Sequence, residues 1–164
     1  MGASLAGVGV AGGLTVAGWF AIGPDHLAYA VVVQGGFLFL GLLATPRWAD
    51  VGRSRYRVAR LEPAVYRWLG VWLFNRILTT IGWNRAVRAM RDDLDAGDRK
   101  RRTLRGTELS ETGHVLAGAA TVLLAVVAVL SSHVHGALQI LLVGVVVHGY
   151  PIMLQRTVRA SLVG

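Results

Sequence analysis

The 164 residues of this chain include no cysteine, which excludes a disulfide framework, a thiol nucleophile and a Cys-ligated metal site. Basic residues are missing wherever the chain is apolar. None of the 17 Lys and Arg residues falls in the four long apolar segments: 15 lie between Arg47 and Arg105, and the other two are Arg156 and Arg159. No basic stretch precedes the first apolar segment and a second follows almost at once, so the first reads as a retained span and not as a secretory signal. A formal net charge of +8 on a soluble surface would suggest nucleic acid. Here the charges flank apolar spans, so they are expected to set topology and to touch anionic headgroups, and no nucleic-acid partner is expected.

What is present is hydrophobicity in blocks. With 54% hydrophobic residues and no amphipathic spacing inside the blocks, the composition predicts a small all-α integral membrane protein, a single domain over residues 1–164. A membrane crossing needs about 20 apolar residues. Four segments approach that length, at about 4–22, 27–43, 114–130 and 136–154. The first two are joined by Gly23-Pro24-Asp25-His26 and the last two by Ser131-Ser132-His133-Val134-His135, so they pair as two hairpins, the first ended by Thr45-Pro46. Neither joining turn carries a basic residue, whereas residues 46–113 carry 15 basic and 8 acidic ones. Loops that stay in the cytoplasm keep Lys and Arg. The expected protein is therefore a multi-pass protein of the cell membrane with both termini and residues 46–113 on the cytoplasmic side. Within that region, residues 61–83 mix Tyr66, Trp68, Trp72, Phe74 and Trp83 with Arg67, Asn75 and Arg76, a composition that suits a helical element lying in the interface. Residues 84–105 turn polar and read as a solvated helix and loop held against anionic lipid.

Two motifs carry little. Gly7, Gly9 and Gly12 match Gly-x-Gly-x-x-Gly, but that fingerprint works between a strand and a helix N-terminus and the surroundings here are an apolar helix. Close helix packing explains these glycines better, with Gly9 and Gly13 at Gly-xxx-Gly spacing and open to homo-oligomer formation. Asp25, His26, His133 and His135 share the outer turns, where nitrogen and oxygen ligands could gather a metal; a solvated His-x-His pair is the plainer reading, and no metal or cofactor is assigned.

One constellation points to chemistry. Glu111 and His114 stand three residues apart on one helical face where the third segment enters the membrane. The fourth segment returns and leaves through His148-Gly149-Tyr150-Pro151, then Gln155, Arg156 and Arg159, with His148, Gln155 and Arg159 on one face and Pro151 kinking the helix between them. Ionisable groups at membrane depth are costly and mark functional sites by default. A structural alternative pairs Glu111 with Arg156 or Arg159 to pin two helices.

The pair Glu111-x-x-His114, followed by Tyr150-Pro151-x-x-x-Gln155-Arg156-x-x-Arg159-x-x-Leu162, resembles the glycosyl-diaponeurosporenoate acyltransferases, small membrane enzymes of carotenoid biosynthesis. The resemblance is best over residues 108–162 and looser around Glu62, Tyr66, Arg67 and Trp68. It departs at Thr157-Val158, where relatives carry Tyr-Asn, at His148 or Gly149, where they carry Asn before the proline, and at Val115, where they carry an aromatic. It implies an acyltransferase that esterifies a sugar hydroxyl of a glycosylated carotenoid or lipid with a fatty acyl group. The partners would be the bilayer, an acyl donor and a lipid or glycolipid acceptor.

Acyl transfer to a hydroxyl needs a base, donors for the oxyanion and an apolar groove. On these residues His114 is the candidate base with Glu111 orienting it. Tyr150, Gln155, Arg156, Arg159, His148 and Arg67 are candidate substrate-binding residues. The competing expectation is a non-catalytic membrane subunit or lipid-binding module whose polar cluster locks the hairpins.

Overall fold

The structure, a computed structural model, describes residues 2–48, 52–82, 85 and 96–163. Among them every regular element is helical. Helix α1 spans Gly2–Ala21 and α2 Leu27–Trp48; a 3-10 turn at Ser54–Tyr56 precedes α3 (Glu62–Trp68) and α4 (Val71–Thr80); α5 is a 35-residue helix over Ala96–Leu130; α6 (Val134–Gly144) passes through a π turn at Val145–Gly149 into α7 (Tyr150–Val163). Among the described residues four stretches are long and apolar enough to cross a membrane: Ser4–Ala21, Leu27–Thr45, Lys100–Leu130 and Val134–Leu162.

Each apolar segment of the sequence lies inside one of these stretches or nearly so, but helix ends and apolar ends differ. Helix α2 continues past Thr45-Pro46 to Trp48. A proline in a last turn removes one N–H at a place where few helical bonds remain to be made, and the Thr45 hydroxyl returns a hydrogen bond to the Gly41 carbonyl. Helix α5 starts well before His114 because Arg, Lys and Glu form helix as readily as apolar residues do; polarity marks where a helix meets water, not where it begins. Near Pro151 the chain answers the missing N–H with a wider turn over Val145–Gly149, one of the recognised causes of a bend. The aromatic stretch at 61–82 folds as α3 and α4, separated by Gly70 at φ 79°. Trp83 and most of the polar stretch at 84–95 lie outside the described residues.

The chain forms two compact units, residues 1–49 with 109–152 and residues 50–108 with 153–164. In the first, α1 and α2 run antiparallel: Ser4 bonds the Leu43 carbonyl, Gly7 meets Leu40 and Leu43, Gly36 meets Ala11, and Tyr29 packs on Gly18. The core is small and aromatic-poor. Tyr29, Ala30, Val33 and Phe37 of α2 pack with Ala117, Leu124, Ala125 and Ala128 of α5 and with Ala137 and Ile140 of α6. Outward faces are the reverse, with Phe20 83% exposed and Leu14, Leu42, Leu123 and Leu142 also exposed; such faces suit lipid as the solvent.

Glycine sets the closest approaches. A Cβ on Gly41 would stand 2.5 Å from the Gly113 carbonyl oxygen, so α2 and α5 touch backbone to backbone one residue before His114. The expected Gly9 and Gly13 face is different: neither has an atom within 4 Å of a built Cβ, and Gly7, Gly18 and Gly36 do the packing. Gly41→Ala should therefore lower stability by about 1–3 kcal/mol through overpacking, while Gly9→Ala and Gly13→Ala should be neutral or mildly stabilising through helix propensity. Thermal midpoints of the three variants in detergent check the contrast; equal shifts would remove the close approach.

Candidate functional site

In the first unit a buried polar chain crosses three helical elements. Its centre is Gln34 of α2, 1% exposed in an otherwise apolar stretch. Its amide nitrogen donates to the Ile140 carbonyl at 3.0 Å. Its carbonyl oxygen receives the Thr121 hydroxyl at 2.9 Å and stands 2.8 Å from His148 Nε2. His148, also 1% exposed, presents its other nitrogen Nδ1 to Nδ1 of His114 at 3.3 Å.

This chain fixes where the protons are. Gln34 Oε1 can only accept, so a neutral His148 must carry its hydrogen on Nε2 and offer a lone pair at Nδ1. His114 then donates from Nδ1. Its own lone pair is left on Nε2, the nitrogen a base uses, and that nitrogen has no protein partner among the described residues. A ring nitrogen held as donor by one partner fixes the acceptor role of the other. The residue on His114 Nδ1 is His148, an imidazole backed in turn by the amide of Gln34. Glu111 lies buried on α5. Tyr150, at the start of α7, is half-buried.

Gln34 and Thr121 were not among the sequence candidates. The signal for Gln34 was an amide in mid-span, where leaving it unsatisfied is expensive; Thr121 carries none, since a helical threonine ordinarily turns its one hydroxyl hydrogen to a carbonyl of its own helix, and the Ala117 carbonyl at 2.9 Å competes with Gln34 for it. Replacing Gln34 with leucine lets His148 take the opposite tautomer, which protonates His114 Nε2. Gln34→Leu should therefore lower kcat by roughly 10–100-fold with a smaller change in KM, as for other positioning partners. Thr121→Val, which leaves Gln34 on His148, should retain most activity. Equal losses in the two variants would reduce the chain to helix pinning.

The outer turns of the same unit are joined by Asp25, whose carboxylate meets His133 Nδ1 at 2.7 Å and accepts from the Gly136 N–H at 2.9 Å. The hydrogen bond from His133 holds its carboxyl below the usual carboxylate range. His135 contacts Gln139. Among the described residues no group of three or more His, Cys, Asp or Glu could hold a metal ion.

The second unit holds the arginines. Arg156 donates from Nε to Glu62 Oε2 at 2.6 Å, from Nη2 to Glu62 Oε1 at 2.8 Å and to the Arg57 carbonyl at 3.0 Å, and from Nη1 to the Arg55 carbonyl at 3.1 Å. Glu62 accepts also from the Ala59 N–H and the Tyr66 hydroxyl, at 2.9 and 2.7 Å. The hydrogen bond from Arg156 is the main reason its carboxyl is held down at about 2. The carboxylate partner of Arg156 is thus Glu62, a residue the sequence motif included without assigning it a role. Arg159 is buried with its guanidinium 5.5 Å from the centre of the Tyr56 ring. Gln155 is half-buried and Arg67 exposed, beside a Trp68 that is 85% exposed.

A comparison with models of known protein families matches residues 52–163 to the family described as glycosyl-4,4'-diaponeurosporenoate acyltransferase, CrtO. No curated protein and no solved structure matches the chain. The match covers His114, His148, the Glu62–Arg156 pair and more than half of the sequence, and on that ground the chain belongs to the glycosyl-4,4'-diaponeurosporenoate acyltransferase family.

Proposed function

We propose that this chain is a membrane-embedded acyltransferase of carotenoid biosynthesis that moves a fatty acyl group onto a hydroxyl of a glycosylated lipid or carotenoid. The observation that carries the reading is the hydrogen-bond chain from Gln34 through His148 to His114, which leaves Nε2 of His114 as the acceptor. Family membership supports the reaction class.

In this mechanism the acceptor hydroxyl gives its proton to His114 Nε2 as its oxygen attacks the carbonyl carbon of the acyl donor. A C–O bond forms and a tetrahedral intermediate follows. Its collapse breaks the bond to the carrier, and the leaving group takes the proton back from His114. The charge that His114 carries between these steps is shared through Nδ1–H with the lone pair of His148. Tyr150 and Gln155 are the candidate donors to the oxyanion, and Glu111 adds a buried carboxylate to the His114 helix. The acyl chain lies against apolar helix walls, and transfer is direct, without an acyl-enzyme.

The four spans cross the cell membrane as two hairpins, with both termini and residues 46–113 cytoplasmic. Support comes from the confinement of Lys and Arg to that region and to Arg156 and Arg159. Helix α3, with Arg67 and Trp68 exposed, suits the interface. The reading is tested with purified protein in lipid nanodiscs, a fatty acyl-coenzyme A or phospholipid donor, and a glycosylated carotenoid. The expected product is the acceptor heavier by one acyl group, ester-linked to the sugar; no ester from any of these donors would sink the reading.

A further inference from the structure

The second unit contains a cavity of about 820 Å3 whose lining includes Arg53, Tyr56, Arg57, Arg60, Glu108 and Arg159. Four of the lining residues are arginines, Arg53, Arg57, Arg60 and Arg159, against a single carboxylate, Glu108. One oxygen of Glu108 is engaged by the Gly52 N–H at 3.0 Å, which fastens the start of the loop to α5. Arg156 fastens the rest: its guanidinium takes the Arg55 and Arg57 carbonyls from behind while Glu62 holds the Ala59 N–H. Two guanidiniums stack near the Tyr56 ring, Arg55 at 4.6 Å and Arg159 at 5.5 Å from its centre. Residues 53–60 are therefore not a loose basic loop. They form a bonded frame, and three of its arginines line one cavity.

The division of labour among the arginines follows. Arg156 has given four of its five N–H groups to protein acceptors and has little left for a ligand. Arg57 and Arg60 are exposed, and their guanidiniums make no hydrogen bond or ion pair among the described residues. Guanidinium forks are matched to phosphate oxygens. The volume falls in the range of sites for whole small-molecule headgroups, far more than one phosphate needs. A phospholipid headgroup such as phosphatidylglycerol brings one negative charge, whereas the excess of arginine over carboxylate here calls for several.

We infer that this cavity binds the polyphosphate headgroup of the acyl donor, a nucleoside-phosphate thioester of the coenzyme A kind, with Arg53, Arg57, Arg60 and Arg159 as its phosphate ligands and Arg156 as the positioning residue of the frame. The inference rests on the acyl-transfer reading above and names its donor. It places the phosphate contacts on three arginines of the 53–60 loop and on Arg159 of α7, and removes Arg156 from direct contact.

The test is binding, measured without turnover. Full-length protein in phosphatidylcholine nanodiscs is titrated calorimetrically with coenzyme A, with the 3'-dephospho form and with inorganic phosphate, and the coenzyme A titration is repeated with Arg57→Ala/Arg60→Ala, two exposed positions whose loss leaves the frame intact. Coenzyme A is expected to bind and to weaken steeply with salt, with the double variant raising Kd by roughly tenfold or more and the dephospho form binding less tightly. Absence of coenzyme A binding, or binding indifferent to the double variant, overturns the assignment. So does a thermal shift produced by phosphatidylglycerol and not by coenzyme A, which identifies a lipid headgroup as the source of the phosphate. Because no acceptor is present, a failure here with ester formation intact from a phospholipid donor strikes the donor site alone, and loss of ester formation with coenzyme A binding intact strikes the transfer reading alone.

Discussion

His114→Ala is expected to reduce acyl transfer on the order of 10²–10⁴-fold, the range a positioned general base contributes, while the protein stays folded and membrane-bound. The expectation comes from one atom. Nδ1 of His114 is committed to His148, and His148 is committed through Nε2 to Gln34, so the nitrogen left to accept a proton in the proposed mechanism is Nε2. Removing the ring leaves His148 Nδ1 without its donor but keeps the bonds of Gln34 to Ile140 and Thr121, which are the ones that tie helices together. Stability should therefore change far less than kcat. His114→Gln refines the point: an amide can still donate to His148 but cannot take up the proton, so it should restore packing without restoring rate. The measurement is ester formed per minute beside the thermal midpoint of the same preparation. Full activity in His114→Ala would remove the residue from the base role. A rate loss that tracks a fall in thermal midpoint, recovered by His114→Gln, would favour the non-catalytic reading in which the cluster pins helices.

How much of this was legible in the sequence differs by level. The four long apolar helices were, because a bilayer demands long uncharged runs and 4–21 and 27–45 meet that demand. Helix ends were not: α5 begins at Ala96 among charged residues, and nothing in hydropathy separates a polar helix from a polar loop. His114 and His148 stood out as ionisable groups at depth. Their contact did not, since it joins α5 to the π turn at Val145–Gly149, and spacing rules for a regular helix do not mark where such a turn falls. Gln34 was missed because a single amide in an apolar run has no motif, and its role appears only when its two ends are matched to an imidazole and a carbonyl. Glu62 was visible as part of a motif, but its ion pair spans 94 residues, a distance that local patterning does not reach.

Arg156→Ala is expected to cost more stability than any other single change in the second unit, about 3 kcal/mol or more. The loss is not that of a surface ion pair. The Arg156 side chain is 14% and the Glu62 side chain 23% exposed, so truncation leaves a largely buried carboxylate with only Ala59 and Tyr66, and it frees the Arg55 and Arg57 carbonyls that the fork had satisfied. Arg156→Lys should recover little, because an ammonium keeps the charge but cannot serve both Glu62 oxygens and two carbonyls at once. Glu62→Gln should fall between, retaining shape and losing charge. The same pair sets a pH response. The carboxyl of Glu62 lies at about 2 in the folded chain against an ordinary value of 4.5, so its contribution is present above pH 4.5 and is lost as pH falls from there toward 2. At about 1.4 kcal/mol per pKa unit the ceiling is on the order of 3 kcal/mol, with partial exposure lowering it. Thermal midpoints of wild type and Glu62→Gln between pH 6 and 3 should converge, the wild type losing its advantage on the acid side; parallel curves would show that Glu62 carries no linked stability. Because Arg156 spends its donors on the frame and not on substrate, Arg156→Lys should also weaken coenzyme A binding only in step with the loss of folded protein, whereas Arg57→Ala/Arg60→Ala weakens it with the thermal midpoint unchanged.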